Sequence, residues 1–527
     1  MMGNLSTSSE WRIPGAGERL PESTAPLVPL VIDRQSGAEL ISRIALDDAP
    51  QAQIELCRVL DRLLAAPPDG ETYFWLLERL RVPVAVVAAA LAKAYLNQPL
   101  PLAEAEEGIF QRTVALWLKT AQAYAHCAEN DSPGIDDAGL AQRIALILQR
   151  CLHHTGLAIV EHQRARRELP AGWWRELHGY YASAEDWGVA TQPIPDAEAG
   201  SASTDCTATY LAFILGEMAG CDSLSVGEQT LVRRWAVAWS PLVSLHRVED
   251  SAPPGVVDLL QDAALRPAAG GQLRRLDTSR LARQLSLTRE QLRQKITPVE
   301  LGLGDDCTPQ QCLRLLDRLS GPWSQARAPR QFRRHDSSAS TRVCTGFSDI
   351  HYFITGHEFE QPEYVPGTPR KLLQLDSKPL AHHLDRWHVA NTSANGFRLL
   401  RSAAGREMAH GQLLALRPHD GERFVLAQAA WLRQEKSGGL IAGIRVLPGI
   451  PQAIAARRLD GGEGIFLRAF LLPAVPALDA EQSLVIPPGW FEPGRVIELH
   501  TDGRRRVQLR QLLDDGPDFE RVSFAVC

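Results

Sequence analysis

Paired cysteines, long apolar runs and an excess of positive charge are all missing from this chain of 527 residues. Its nine cysteines, at 57, 127, 151, 206, 221, 307, 312, 344 and 527, contain no Cys-x-x-Cys pair. An odd set spread this thinly reads as reduced thiols, mostly small core residues, in a cytoplasmic protein. No stretch reaches the ~20 apolar residues of a membrane span; VPVAVVAAALAKAYL is too short and is interrupted by Lys93. A formal net charge of −6 and a pI near 6.2 argue against coating a nucleic acid through overall charge, so any anion site must be local. The opening residues carry no basic region followed by an apolar run, which excludes a secretory signal, and residues 1–47 read as a flexible tail.

Catalytic signatures are absent as well. The chain has no G-x-S-x-G elbow, Walker loop, dinucleotide fingerprint or H-E-x-x-H element, and GLGDD at 302–306 lacks a following basic residue. Asp-Asp pairs at 47, 136, 305 and 514 are dispersed and fit capping or solvent exposure. The expectation is a protein that is not an enzyme and holds no metal or other cofactor.

What is present falls into two styles of sequence, giving a multidomain α + β fold. Residues 48–322 read as an all-helical domain. Phe110, Val114, Trp117, Ala121 and Tyr124 follow steps of three and four, and so do Leu140, Ile144, Leu148, Cys151 and Leu152. Further helices are expected around 51–65, 84–96, 204–219, 226–239, 277–294 and 308–319, the last opened by Thr308 before Pro309. No fixed period marks a solenoid. Trp173, Trp174, Tyr180, Tyr181 and Trp187 suit an aromatic core, or alternatively a groove for a protein partner.

Beyond residue 340 the periodicity falls to two. RVCTGFSDIHYFITG, GFRLLRSA, GQLLALRP, RFVLAQAAWLRQ and GLIAGIRVLPG are short strand-like runs bounded by turn residues, and RQEKSGG reads as a hairpin connection. They suggest a small antiparallel barrel over 323–462, with an inserted loop at about 356–386. A similar style resumes over 463–527, where Asp502-Gly503 is a hairpin turn, as a second β module or an extension of the first.

The stretch RAPRQFRRHDSSASTR, residues 327–342, places five arginines against the single acid Asp336. Within it Arg330 and Arg334 form R-x-x-x-R, and downstream Asn391, Ser393 and Gly396 form N-x-S-x-x-G in NTSANG, just before a strand. Arginine suits an anionic nucleotide because its planar fork binds phosphate or a guanine edge bidentately and its face stacks on a base. Asn391 supplies an amide for a base edge, Ser393 a hydroxyl, and Gly396 a tight turn or close backbone approach.

In this order, over roughly residues 325–450, the two elements resemble the signature of PilZ domains, receptors for cyclic di-GMP. The resemblance implies that Arg330 and Arg334 grip guanine and phosphate while Asn391, Ser393 and Gly396 form the barrel-side wall; Arg333 and Arg327 are candidates for added phosphate contacts. It also implies outputs in motility, type IV pili, surface attachment and biofilm, or exopolysaccharide. A protein partner engaged through the helical half is expected besides, and, from the acidic pI, no nucleic acid. GGDEF and EAL sequences, which mark enzymes that make or degrade this nucleotide, are absent. Arg330 and Asn391 are 61 positions apart, longer than the compact family pattern, and the added length is the insert. Six histidines, 335, 351, 357, 382, 383 and 388, gather around that insert without metal-ligand spacing. A different class of function is an adaptor whose barrel no longer binds nucleotide, and a third is a metal enzyme built on these histidines.

Overall fold

Side-chain caps fix where the helices of the first half begin. The computed structural model describes residues 33–129, 137–195, 203–248, 255–265, 271–325, 334–362, 382–393, 396–419, 421–459, 465–501 and 503–527. By contacts the chain divides into two units, Met1–Leu96 with Ala103–Pro329, and Asn97–Leu102 with Arg330–Cys527.

The first unit carries α1 (Arg34–Ser42), α2 (Ala49–Ala65), α3 (Gly70–Ala92), α4 (Glu104–Glu129), α5 (Asp137–Arg164) and α6 (Trp173–Asp186). After the short strands β1 (Ile194–Pro195) and β2 (Ser203–Thr204) come α7 (Cys206–Met218) and α8 (Val226–Trp239). The strands β3 (Ser244–Arg247), β4 (Val256–Asp258) and β5 (Leu273–Asp277) precede α9 (Ser279–Arg293) and α10 (Pro309–Trp323). Asp33, Asp48, Asp69, Asp205 and Ser225 each accept a first-turn backbone N–H. Thr308 and Gln311 form a reciprocal capping box with Pro309 in the first turn, as that sequence predicts.

The helical stripes face inward. Phe110, Val114, Trp117, Tyr124, Leu148, Cys151 and Leu152 are buried where α4 and α5 pack. Trp174, Tyr180 and Tyr181 join the core, with Tyr181 stacked on Tyr210 at 4.2 Å, whereas Trp187 is exposed. His154 lies between the Trp117 and Tyr124 rings at 5.7 Å from each, and burial holds its imidazole well below the usual range. This pair-stacked histidine is a structural residue.

Four placements differ from the sequence reading. Residues 34–42, inside the stretch read as a tail, form α1, which packs on α3; residues 1–32 lie outside the described residues. α3 starts at Gly70 rather than near 84 and runs through Pro83, because Leu76, Leu77, Leu80, Val84, Val87 and Ala88 are buried on both sides of the proline. Packing outweighs the missing N–H. β3, β5 and β4 form a small antiparallel sheet within the otherwise helical half; runs this short give no usable alternation. Asn97–Leu102 leave the helical unit for the second one, where Leu100 and Met408 exchange two backbone hydrogen bonds of 2.8 Å.

The second unit holds two closed barrels. The first contains β6 (His335–Asp336), β7 (Ser340–Thr345), α11 (Phe347–Thr355), β8 (Asp385–Ser393), β9 (Gly396–Arg401), β10 (Leu413–Arg417), β11 (Val425–Gln434) and β12 (Leu440–Val446). The ladder β8-β7-β10-β11-β12-β9 returns to β8 and so has no free edge, while β6 pairs with β8 ahead of β7. The β11–β12 hairpin forms as RQEKSGG predicts.

The second barrel joins β13 (Gln452–Arg458), β14 (Leu467–Leu472), β15 (Ser483–Ile486), β16 (Val496–His500), β17 (Arg504–Asp515) and β18 (Glu520–Val526) in the closed order β13-β14-β15-β18-β17-β16. β13 falls before 463, so the second barrel begins eleven residues earlier than the sequence suggests (463 − 452). Its Phe470, Leu472, Val485 and Phe519 share one core with Cys344, Ile350, Leu413 and Leu426 of the first barrel. β16 and β17 form a hairpin; Asp502 at its turn lies outside the described residues.

The run RVCTGFSDIHYFITG is only half strand. Gly346 at φ 82° turns the chain into α11, whose Phe347, Ile350, Phe353 and Ile354 recur at helical spacing and pack on the shared core. Residues 363–381 of the insert lie outside the described residues. Immediately after them, His382 bridges two acids, with Nδ1 3.0 Å from Asp349 and Nε2 2.7 Å from Glu358, and it stacks on Tyr352 at 3.8 Å. Arg406 holds the second Asp349 oxygen at 2.9 Å. Desolvation works against the charged imidazole, but the two carboxylates outweigh it and raise its pKa above the ordinary 6.5. A raised folded-state pKa contributes stability that is complete below 6.5 and fades as pH climbs through the folded value. His382→Gln should therefore lower the melting temperature clearly near about pH 5.5 and progressively less by about pH 8.5, as read by thermal unfolding of both proteins across that range.

Candidate functional site

Arg334 stands one residue ahead of β6, and β6 lies against β8 with His335 opposite Thr392 and Asp336 opposite Asn391. Ser337 N–H donates to the Ala390 carbonyl and Val389 N–H to the Ala339 carbonyl, so β6 and β7 run in succession along one edge of β8. Arg334 of the first sequence element and Asn391 of the second, 57 positions apart (391 − 334), are therefore neighbours in space. The insert leaves from the far end of this arrangement and does not separate them.

Four residues predicted from the sequence, Arg334, Asn391, Ser393 and Gly396, line one half-open cleft of about 240 Å³. Arg330, Arg333 and Arg327 lie outside the described residues. Phe397, Arg398, Ala430, Trp431, Gly443, Ile444 and Arg445 complete the cleft.

Cross-strand register explains the grouping. Asn391 is opposite Arg398, Arg398 is opposite Gly443, and Gly443 is opposite Trp431, so these residues form one row across β8, β9, β12 and β11. Directly opposed residues share a face of the sheet. Gly396 and Arg445 form the next row. Bulges at Ala390 and Ala430 shift the register so that Asn391 and Trp431 fall on this face.

Two glycines create the space. A Cβ on Gly396 would come within 2.2 Å of the Ile444 carbonyl oxygen, so the motif glycine serves close backbone approach of β9 to β12. A Cβ on Gly443 would come within 1.8 Å of the Trp431 Nε1, so the bare backbone there lets the indole lie flat across β12. Ser393 Oγ donates to the Gly396 carbonyl at 3.3 Å and closes the hairpin between β8 and β9.

The electrostatics favour an anion. Arg334 is exposed and makes no hydrogen bond or ion pair with the described residues. The Arg398 guanidinium lies 6.0 Å from the Trp431 ring, and its Nε is buried with no partner among the described residues. Arg445 is the exception, since its Nη2 reaches Gln428 Oε1 and Asp514 Oδ1 at 2.6 Å each. Two cationic forks, a stacking ring and an amide thus face one cleft, the set of groups that a nucleotide's phosphate, base face and base edge require. Sequence reading missed Arg398, Arg445 and Trp431 as site residues. For Arg398 a signal existed, because it lies two positions after Gly396 in a strand and so shares its face.

Three family models match the chain in succession. They are the N-terminal domain of the cyclic-di-GMP receptor FimW over residues 35–251, its middle PilZ domain over 248–372, and its C-terminal β-barrel domain over 453–527. The chain belongs to the PilZ-domain family. The middle match includes Arg330 and Arg334 and ends before Asn391; the first barrel, which holds Asn391, Ser393 and Gly396 with Arg334 just ahead of β6, is called the PilZ barrel below. A curated relative, the cyclic-di-GMP receptor FimW of Pseudomonas aeruginosa, is 25% identical over 518 residues, covering 85% of this chain and 83% of its own. No solved structure matches. Among the described residues no helix is long and apolar enough to cross a membrane, and no group of three or more His, Cys, Asp or Glu side chains is placed to hold a metal.

The glycine geometry makes a direct prediction. Gly396→Ala should push β9 away from β12 and cost about 1–3 kcal/mol of stability, measured by chemical denaturation of the whole chain. Gly443→Ala should instead displace the Trp431 indole with a smaller loss, visible as a change in the near-ultraviolet circular dichroism.

Proposed function

We propose that this chain is a receptor for cyclic di-GMP, acting in the cytoplasm as a regulator and not as an enzyme, with no metal or other cofactor. The observation that carries this reading is the convergence of Arg334, Asn391, Ser393 and Gly396 on a single cleft of the PilZ barrel. The name of the Pseudomonas aeruginosa relative supports the choice of ligand.

In this reading the Arg334 fork takes a phosphate or the O6/N7 edge of a guanine, and the Asn391 amide meets a second base edge. Arg398 and Trp431 offer a cationic and an aromatic surface to the base. Ser393 and Gly396 shape the wall. Arg330, with Arg333 and Arg327, supplies the further guanine and phosphate contacts that the family resemblance implies. Because residues 326–333 are also the covalent link to the helical unit, their capture by the nucleotide changes how the halves are tethered and exposes or hides a surface for a protein partner on the helical unit. The outputs that the family resemblance implies are motility, type IV pili, surface attachment and biofilm, or exopolysaccharide.

Calorimetric titration of the full chain tests the reading. Wild type should bind cyclic di-GMP at micromolar affinity or tighter; Arg334→Ala should weaken binding tenfold or more, and Ser393→Ala by a smaller factor. Absence of heat and of any thermal stabilisation at saturating nucleotide would leave the adaptor with a non-binding barrel as the function.

A further inference from the structure

Arg445 belongs to two places at once. Its backbone sits in β12 opposite Gly396, its side chain lines the nucleotide cleft, and the same guanidinium reaches Asp514 near the end of β17 in the second barrel. Asp514 in turn holds Arg521 of β18, with Oδ2 2.7 Å from Nη1, and Arg521 Nε donates to Ser483 Oγ.

The chain around Asp514 is where the β17–β18 hairpin docks on the PilZ barrel. Gln428 of β11 accepts from Arg445 and donates through Nε2 to the carbonyl of Asp515 at 2.8 Å. Asp518 accepts from the Leu413 N–H at 2.9 Å, and Phe519 is buried in the shared core. A Cβ on Gly516 would meet the Gly411 carbonyl oxygen at 2.2 Å, so hairpin and barrel touch backbone to backbone. β17 also carries a bulge between Leu512 and Asp514, which interrupts its own ladder at this point.

We infer that Arg445 is shared between the cleft and the hairpin, so that a phosphate of bound cyclic di-GMP draws it from Asp514 and loosens the β17–β18 hairpin. This rests on the receptor reading above and adds the route by which occupancy reaches the second barrel. The two ion pairs on Asp514 are unequal. Arg445 has 42% of its side chain exposed and can swing, whereas Arg521 has 9% exposed and is held by Ser483 as well. Removing Arg445 leaves Asp514 paired with Arg521, so no buried charge is stranded. Arg445 is the exposed partner of this half-buried pair, and Asp514 keeps Arg521 when Arg445 leaves; a phosphate offers Arg445 the same fork geometry as the carboxylate. The hairpin loses the tie to Arg445, and through it the polarised Gln428 contact, while its apolar anchor at Phe519 stays.

The test is amide hydrogen exchange over residues 511–519 of the full chain, with and without cyclic di-GMP, beside calorimetric affinities. In wild type, saturating nucleotide should speed exchange in this segment severalfold. Asp514→Asn removes the competitor for Arg445 and should tighten binding roughly two- to fivefold. Because that variant also unpairs Arg521 and can destabilise the barrel, Arg445→Gln provides the second arm: it should bind more weakly than wild type and show no nucleotide-dependent change at 511–519. Measured binding in wild type with unchanged exchange in the hairpin, or wild-type affinity and response in Arg445→Gln, overturns the relay and leaves the receptor reading standing. No binding by wild type sinks both.

Discussion

Two cross-strand pairs, His335 with Thr392 and Asp336 with Asn391, decide whether Arg334 reaches the cleft that holds Asn391 at all. A two-residue strand has almost no stability of its own. It persists because β8, its partner, is locked on both edges inside a closed ring of strands, and because β7 continues the same edge from Ser340 onward. Arg334 is thereby brought beside Asn391 by the barrel and not by local chain preference. Loop-closure entropy grows only slowly with length, so inserting α11 and the residues before β8 between the two half-sites costs little once the ring is closed. The histidine bridge from His382 to Asp349 and Glu358 fixes the near end of that insert to α11, on the side of the ring from which β8 departs.

The barrel's outer face then behaves as a small electrostatic device inside an acidic chain. Several arginines of the second unit are engaged with carboxylates: Arg401 with Asp385, Arg457 with Glu498, Arg521 with Asp514. Arg334 has no partner among the described residues, and Arg398 leaves its Nε without one, although Asn391 stands directly opposite it. Neither has an ion-pair partner among the described residues, while the whole chain carries −6. Local potential, and not net charge, sets what binds here, because at physiological ionic strength charges beyond about 8 Å are screened.

How much of this was legible depended on whether a residue's role is set locally or by register. The helical stripe through Phe110, Trp117 and Tyr124, the Thr308 cap and the β11–β12 hairpin all follow from neighbours in sequence, and each stands where the pattern puts it. The motif residues Arg334, Asn391, Ser393 and Gly396 were grouped by their types and order alone, and the fold brings them to one cleft. α11 was hidden: Ile350, Tyr352, Phe353 and Ile354 favour strands by type, and only their spacing, with Gly346 ahead of them, marks a helix. The start of the second barrel was hidden because β13, QAIAARR, lacks clean alternation. Arg445 and Trp431 could not be found locally at all, since a one-residue bulge at Ala430 decides which face Trp431 occupies and pairing with β9 decides that Arg445 lies beside Gly396.

The shared core gives the two barrels a division of labour. Phe519 and Phe470 are fully buried against Ile350, Leu413 and Leu426, so parting the barrels would expose large aromatic surface at a cost of several kcal/mol. Separation of the barrels is therefore not a practical response to a small ligand. The polar rim around that core is different in kind: the Arg445–Asp514 and Gln428–Asp515 contacts are individually weak and partly solvated. A ligand that competes for one arginine can rearrange the rim without disturbing the core. An apolar anchor that stays fixed, encircled by polar ties that can be exchanged, is what allows a binding event on one barrel to alter the surface of the other while both remain folded.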